Sequence, residues 1–357
     1  MRLQLSIVAL VAVLASKAAH AQVTDSAPGE GDAKGSVAMY ADSDKTTVVT
    51  SVAEGSVRLP APVIVNAHAL VDAVSSASVD VISAATSRFS ENRIELGANA
   101  RVGFAQSTEA TLGYTHSGEN DWQSHAVELG LTRDLAKKNA KLAIGYGFTR
   151  NYVGRAHDPT FEKLLDSHGA QIGLSQIVDH KTLVSISYTL SALSGYQGSP
   201  YRFVATMDGS ARPESPPEQR MRHAVTARLM HVFGTDNVVD AQYRIYVDDW
   251  GVLSHTAELA YTRQLAETWS LRLRTRGYRQ HHASFYQESY EMPMRYMTID
   301  RELSTFWDAM GGAKLAYTGD SVELELKVDA IVYRFEDYAR LEGRVAIVSG
   351  LGGTWRW

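Results

Sequence analysis

The segment SVELELKVDAIVY, residues 321–333, alternates apolar and charged side chains. From Val322 to Asp329 the even-numbered residues are apolar and the odd-numbered residues are charged. A period of two is typical of a β-strand, because successive side chains of a strand point to opposite faces. The segment therefore predicts a strand with one apolar face and one strongly polar face.

The same alternation recurs along most of the chain, as in RIELGANARVGF (93–104), KLAIGYGF (141–148) and WSLRLRTRGYRQ (269–280). Breaks between alternating segments predict about sixteen strands, with 14–18 compatible with the pattern. The predicted strands are 35–41, 46–58, 62–72, 91–105, 108–118, 121–134, 139–151, 166–178, 181–193, 219–234, 237–249, 251–265, 267–282, 300–318, 320–335 and 340–357. Most are longer than the roughly 5–6 residues usual in soluble sheets.

The connections between these strands alternate between two kinds. One kind consists of tight turns, and the other includes every long loop: 73–90, 152–165, 194–218 and 283–299. In an up-and-down meander, alternate connections lie at opposite ends, so all long loops gather on one side. This asymmetry is typical of outer-membrane barrels, which have short periplasmic turns and long external loops. The sequence predicts an all-β, transmembrane, antiparallel up-and-down β-barrel.

Aromatic residues occupy the apolar faces of these strands near their ends. Tyr114, Tyr146, Phe148 and Tyr188 lie near the long loops, and the residues near the tight turns are Phe104, Tyr261, Trp269 and Tyr317. Amphipathic rings at both rims are favoured where a barrel meets the two membrane interfaces. An ordinary soluble core is the alternative for these rings.

The N-terminal residues predict export. Residues 1–21 combine a basic Arg2, a short apolar run and the triplet Ala19-His20-Ala21, which is the pattern of a secretory signal peptide cleaved near Ala21. Residues 22–34 are rich in small and polar side chains and predict a disordered lead-in, so the barrel is expected over 35–357. The outer membrane of a Gram-negative bacterium is the expected location.

Composition excludes several kinds of function. The chain has no cysteine, which excludes disulfides and thiolate metal sites, and its net charge of -5 argues against a nucleic-acid partner. GxSxG, HExxH and P-loop motifs are absent. His281 and His282 are adjacent, so in a regular strand they would point to opposite faces and not bind one metal. We expect no enzyme activity and no cofactor.

The polar faces of the later strands predict a charged lumen. The members of this charge ladder are Arg220, Arg222, Arg228, Arg244, Glu258, Arg272, Arg274, Arg276, Lys314, Glu323, Glu325, Lys327 and Asp329. Strands from about 91 to 193 instead direct mostly Gly, Ser, Thr and Ala inward. The ladder can form ion pairs that make the wall rigid, or it can select anionic or zwitterionic solutes, and these two roles are compatible.

Acidic residues on the long-loop side are a second candidate site. Asp42, Asp44, Asp72 and Asp80 offer hard oxygen ligands of the kind that calcium prefers. Their spacing matches no known calcium loop, so solvated carboxylates are the favoured interpretation.

The last strand, RLEGRVAIVSGLGGTWRW (340–357), ends with Trp355 and Trp357 on its apolar face. It resembles the C-terminal signature that the barrel-assembly machinery reads in outer-membrane proteins. The stretches MYADSDKTTVVT (39–50), DAVSSASVDVISAAT (72–86) and SRFSENRIELGANA (87–100) resemble an uncharacterised family of outer-membrane barrels, a domain of unknown function. The resemblance implies the fold and the location, and it carries no catalytic residues.

Two functions follow from these observations. A barrel of about sixteen strands encloses a lumen unless loops fill it, which favours a channel or solute-translocating barrel. The alternative is a closed structural or docking barrel that binds partner proteins through its loops. The expected partners are outer-membrane lipid, the barrel-assembly machinery, and either small solutes or partner proteins.

Overall fold

The structure, a computed structural model, describes residues 28–76, 89–105, 107–338 and 340–357. The predicted signal peptide, residues 22–27 of the predicted lead-in, and Asp80 lie outside the described residues. Within the described ranges, no helix is long and apolar enough to cross a membrane.

Sixteen antiparallel strands form one closed barrel, which confirms the predicted fold. The barrel strands are β1 (Gly31–Asp42), β2 (Thr46–Arg58), β3 (Val63–Ser76), β4 (Phe89–Ala105), β5 (Thr108–Gly118), β6 (Trp122–Leu135), β7 (Ala140–Val153), β8 (Lys163–Asp179), β9 (Thr182–Gly195), β12 (Gln219–Phe233), β13 (Asn237–Asp248), β14 (Leu253–Gln264), β15 (Trp269–Gln280), β16 (Phe306–Thr318), β17 (Val322–Phe335) and β18 (Gly343–Arg356). Two short strands outside the barrel, β10 (Phe203–Ala205) and β11 (Ala211–Pro213), pair with each other.

Each barrel strand pairs with its neighbours in the chain, and β18 closes the barrel against β1. Tight turns alternate with longer connections as predicted, and the two longest described loops are 196–218 and 281–305. We call the end with the long loops the external end and the other the turn side.

Many strand boundaries differ from the prediction by one to four residues, and the start of β16 differs by six. β1 begins at Gly31, so residues 31–34 of the predicted lead-in belong to the barrel. β16 begins at Phe306 instead of 300, because Asp300 caps a short 3-10 helix over 301–303 by accepting a hydrogen bond from the Glu302 backbone N–H.

The apolar faces of the strands point out of the barrel. On β17, Leu324, Leu326 and Val328 are 53%, 46% and 45% exposed, whereas the side chain of Asp329, on the inward face, is buried. The same alternation runs through the other barrel strands and produces an apolar outer wall. Burial of such a wall in hydrocarbon is what a transmembrane barrel requires.

The seam of the barrel joins the ends of the described chain. The backbone N–H of Gly31 donates to the Trp357 carbonyl at 3.1 Å, and the Trp357 N–H donates back to the Gly31 carbonyl at 3.1 Å. A side chain at residue 31 would meet the Trp357 ring, with its Cβ 2.7 Å from Cζ2. Glycine at this position therefore lets the last residue pair closely with β1.

Candidate functional site

All members of the predicted charge ladder lie on the inward face of β12 to β17. Most of them form ion pairs with carboxylates of the same strand, of a neighbouring strand or of the strand beyond it. The pairs are Arg220–Asp248 (2.5 Å), Arg228–Asp240 (2.7 Å), Arg272–Asp240 (3.0 Å), Arg274–Asp329 (2.7 Å), Arg276–Asp308 (2.7 Å), Lys314–Glu325 (3.2 Å) and Lys327–Asp329 (3.1 Å). The wall is thus cross-linked by charge along much of its height.

Sequence reasoning missed three carboxylates of this network: Asp240, Asp248 and Asp308. Each lies on the inward face beside an arginine of the next strand, and Asp240 accepts from both Arg228 and Arg272. The signal in the sequence that could have identified these carboxylates is that they alternate with apolar residues that face outward. Glu323, at the turn side, pairs with Arg356 at 2.5 Å, as expected if Arg356 faces the lumen between Trp355 and Trp357.

Two arginines of the ladder are not neutralised in this way. Arg222 and Arg244 form no ion pair with any residue in the described part of the chain. The Nε atom of Arg222 is buried without a hydrogen-bond partner there, and the Arg244 guanidinium lies over the Tyr246 ring, 5.4 Å from its centroid. The external half of this wall therefore contains two arginines without an ion pair among the described residues, although Arg222 faces Asp248, which Arg220 already binds.

The wall formed by β5 to β9 faces the lumen mostly with short side chains, as predicted, but β4, which the prediction included, instead directs Arg93 and Glu95 inward. Its inward residues include Thr111, Gly145, Gly147, Gly173, Ser185 and Ser187. Short side chains fill less of the lumen beside them than the arginines of the charged wall do. The lumen is therefore asymmetric, with a charged wall on one side and a wall of small residues on the other.

The two long loops, 196–218 and 281–305, pack together at the external end, and we call them the external cap. Val204, Tyr290, Met297 and Ile299 are buried in one apolar cluster that both loops share. Backbone hydrogen bonds join Ser215 and Met297 in both directions, at 2.9 and 3.2 Å. Burial raises the pKa of Tyr290 above its ordinary value, which fits a ring enclosed between the loops.

An ionic cluster joins the two loops beside this apolar core. Arg202 pairs with Glu214 at 3.1 Å and with Asp300 at 2.9 Å, and the Thr298 hydroxyl donates to Glu214 at 2.8 Å. Burial disfavours the charged form of Asp300, yet its pKa lies below the ordinary value, and among the described residues the nearby Arg202 guanidinium is the largest cause of that lowering. The charged carboxylate is the form that joins the loops.

The cap is anchored to the neighbouring hairpins of the rim. Arg301 pairs with Asp44 of the β1–β2 connection at 2.6 Å, and both side chains are buried. The Tyr286 hydroxyl donates to the Asp337 carbonyl at 2.7 Å. On the other side, Tyr201 donates to Asp121 of the β5–β6 connection. These contacts fix the cap to hairpins on both sides of it.

Three of the four candidate metal ligands, Asp42, Asp44 and Asp72, lie in the described part of the chain, and each has a different partner there. Asp44 pairs with Arg301, Asp42 accepts hydrogen bonds from Tyr40 and the Thr46 N–H, and Asp72 accepts from the Thr50 hydroxyl. Within the described residues, the group of three carboxylates near enough to share an ion is Glu91, Glu119 and Asp121, whose ligand atoms lie within 4.8 Å of one another. No spacing in the sequence indicated that group, because Glu91 lies on β4 whereas Glu119 and Asp121 lie in the β5–β6 connection.

A closed barrel of sixteen antiparallel strands with an apolar outer wall and a polar lumen defines this protein as a transmembrane β-barrel of the outer-membrane type. The chain belongs to the family described as Protein of unknown function (DUF3570), whose model matches residues 82–165 and 162–354. This match confirms the family resemblance predicted from the sequence. Curated protein sequences give no match.

Solved structures with a similar fold share little sequence with this chain. A "Bacterial polysaccharide outer membrane secretin" aligns at 8% identity and a TM-score of 0.57, covering 93% of this chain and all of the other. CdiB from Acinetobacter baumannii aligns at 7% identity and a TM-score of 0.55, covering 92% of this chain and 60% of CdiB. At such identities the likeness concerns the fold alone.

Proposed function

We propose that the protein is a solute channel of the outer membrane, with a preference for anionic or zwitterionic solutes and an external cap that restricts its mouth. The observation that carries this proposal is the pair of lumen arginines, Arg222 and Arg244, that form no ion pair in the described part of the chain. Charged groups that line a pore attract solutes of opposite sign and set its selectivity. The small-residue wall opposite them leaves room for a solute to pass.

The barrel reaches the outer membrane by export and subsequent assembly. Residues 1–21 act as the export signal, and the assembly machinery reads Trp355 and Trp357. The two indole rings lie 5.0 Å apart on the lipid-facing side of β18. Their placement at the turn side supports a role in anchoring at the periplasmic interface.

Conductance in planar bilayers tests the channel directly. The purified, folded barrel is expected to give stepwise conductance and, in a KCl gradient, a reversal potential of the sign produced by anion selectivity. The variant R222Q/R244Q should move the reversal potential toward zero, because it removes two lumen cations that form no ion pair. R279Q is the matched control, since Arg279 lies on the lipid-facing side, 57% exposed, and pairs with Glu336.

A second candidate function is favoured by the packing of the cap. Tyr290 is 1% exposed and Val204 is fully buried, so the cap resembles the core of a small domain and presents a defined surface. A closed barrel that binds a partner protein through this surface fits that observation.

The variant R202A distinguishes the two functions, because it removes the central cation of the cap. If the cap restricts a channel, R202A should increase conductance above that of the wild-type barrel. If neither protein conducts while both migrate as folded barrels, the channel is contradicted and the docking barrel is favoured.

A further inference from the structure

Four tyrosine–histidine pairs repeat on the outer wall of the barrel. In each pair the tyrosine hydroxyl lies 2.7 or 2.8 Å from the histidine Nδ1 atom. The pairs are Tyr114–His125, Tyr146–His168, Tyr188–His223 and Tyr243–His255. They join β5 to β6, β7 to β8, β9 to β12 and β13 to β14, which are the four hairpins with external connections in this half of the barrel.

All four pairs have one geometry. The histidine lies diagonally from the tyrosine, two positions before the residue that faces it: Tyr188 faces Val225, for example, and binds His223. The tyrosines are 37% to 49% exposed on the lipid-facing side. Diagonal neighbours on one face of an antiparallel pair are within reach of aromatic side chains, so two-strand register alone explains each contact. It does not explain why the contact occurs four times.

The four pairs form a level row around the barrel. Tyr146 faces Ala170, and Tyr188 faces Ile172, two residues nearer the turn side of β8. Measured in the same way, the step from Tyr114 to Tyr146 along β6 is also two residues toward the turn side. The step from Tyr188 to Tyr243 along β12 is the same. A closed barrel needs tilted strands and a constant stagger between them, so a row displaced equally at every step keeps one height.

This height is the outer edge of the apolar wall. On β12, His223 and the turn-side ring Phe233 both face outward and lie ten positions apart. At roughly 3.3 Å per residue and a tilt of about 40°, this separation corresponds to about 25 Å along the barrel axis, the usual height of an apolar band. The histidines therefore lie where lipid headgroups meet the outer leaflet, with the tyrosine rings directly below them.

The hydrogen bond sets the chemistry that each histidine presents. A phenol that donates to Nδ1 leaves the ring proton of a neutral imidazole on Nε2, which is then a donor. Arg150, on the same outer face, adds a cation above His168, and its guanidinium is bound by Asp166 at 2.7 Å. His116, facing His125 with ring centroids 4.7 Å apart, has a buried Nδ1 without a partner among the described residues.

We propose that this row, the histidine belt formed by His125, His168, His223 and His255, binds the phosphate groups of outer-leaflet lipid. A phosphate oxygen is a strong acceptor, and donors at one height match a layer of headgroups. Within the described residues the belt covers only the half of the barrel from β5 to β14. The inference rests on the transmembrane fold and is independent of whether the lumen conducts.

Native mass spectrometry of the folded barrel in a neutral maltoside detergent tests the belt. The probes are lipid A with its two phosphates, the same lipid A after removal of the phosphates, and inorganic phosphate. The key variant is H223L, and its matched control is H231L on the same strand. His231 also faces outward, but it lies at the turn side and binds the Thr182 hydroxyl at 2.9 Å.

We expect wild type and H231L to retain phosphorylated lipid A in preference to the phosphate-free form. H223L should bind it about tenfold more weakly, the loss expected for one hydrogen bond to a charged group. Y188F keeps the His223 imidazole but loses the hydrogen bond that orients it, so its affinity for phosphorylated lipid A should lie between those of wild type and H223L. It replaces H223L in the test if H223L does not fold. Heat-modifiable migration confirms folding of every variant.

Three results would each overturn the proposal. The first is equal retention of phosphorylated lipid A by H223L and H231L. The second is equal retention of both lipid forms by the wild-type barrel. The third is that inorganic phosphate at the same concentration displaces the lipid completely, because the belt would then be a site for a free anion.

Discussion

Arg301 and Asp44 form a buried ion pair at 2.6 Å although 257 positions separate them in the chain. Asp44 lies in the β1–β2 connection and Arg301 in the external cap, so this pair fastens the cap to the rim beside the seam. A buried charge that loses its partner is strongly unfavourable, by about 3–5 kcal/mol. The pair is therefore expected to decide whether this side of the cap stays in place.

The variant R301A should release residues 281–305 from the rim while the barrel remains folded. We expect hydrogen exchange in that loop to become faster by orders of magnitude, because about 3–5 kcal/mol corresponds to a factor of more than a hundred. R334A is the control, since Arg334 pairs with Glu342 at 3.1 Å and both are well exposed. Such surface pairs contribute about 0–1 kcal/mol, so R334A should leave the cap protected.

Acid should loosen the joint between the two loops of the cap. The Asp300 pKa is lower than usual, so its charge stabilises the cap above the unfolded pKa of about 4. That stabilisation is lost as the pH falls through the lower pKa of the folded state. Limited proteolysis of the cap should therefore be slow at neutral pH and accelerate in strong acid.

D300N tests the source of this pH dependence. Without the titrating carboxyl, the cap should be cleaved faster at neutral pH, and its cleavage should change less on acidification. D208N is the comparison, because Asp208 also has a lowered pKa, of about 2, but owes it to the hydroxyl and backbone of Thr206 and Ser210 within its own loop. If the pH dependence of cap cleavage is the same in D300N as in the wild type, groups other than Asp300 cause it.

Two adjacent glycines on β16 should respond oppositely to alanine. A Cβ at Gly312, on the inward face, would collide with the Asp329 carboxylate, which binds Arg274 and Lys327. A Cβ at Gly311, on the outward face, meets nothing within 4 Å. We expect G312A to destabilise the barrel by about 1–3 kcal/mol, the usual effect of an overpacked site.

Urea titration of the folded barrel in detergent measures both changes. G311A should unfold at the wild-type concentration or slightly above it, because alanine also restricts the unfolded chain. Equal midpoints for G312A and G311A would show that the Asp329 network moves aside without loss.

The C-terminal residue is expected to matter for assembly more than for function. Deletion of Trp357 removes a lipid-facing ring and two backbone hydrogen bonds with Gly31. The fraction of heat-modifiable barrel in the membrane should fall severalfold, while any barrels that insert should conduct like the wild type. W357F keeps an aromatic ring and the backbone, and should assemble nearly normally.

The barrel itself could be predicted from the sequence because its signal is local. On β17 the alternation from Val322 to Asp329 determines the face of every side chain, and the same reasoning placed the charge ladder in the lumen. The alternation of long loops with tight turns predicted which end of the barrel is external and which end carries the turns. Each of these signals depends on residues close together in the chain.

The cap and the histidine belt could not be predicted, because they depend on contacts and on strand register between residues that are far apart in the chain. Nothing near Arg202 indicates that it meets Asp300 of another loop, and residues 203–205 and 211–213 are too short to show a strand period. The tyrosines Tyr114, Tyr146 and Tyr188 were recognised as rim aromatics. Their histidine partners became visible only when the pairing register placed them two positions away diagonally.

The seam between Gly31 and Trp357 has a consequence for the kinetics of folding. Every other pairing in the barrel joins consecutive barrel strands, the longest described connection being residues 281–305, whereas the β1–β18 ladder joins the first strand to the last. Loop-closure entropy makes that step the slowest to nucleate. Until it forms, the chain is an open sheet with two unpaired edges, a state that pairs readily with other chains. The lifetime of that open sheet, more than the stability of the finished barrel, should set how often assembly fails.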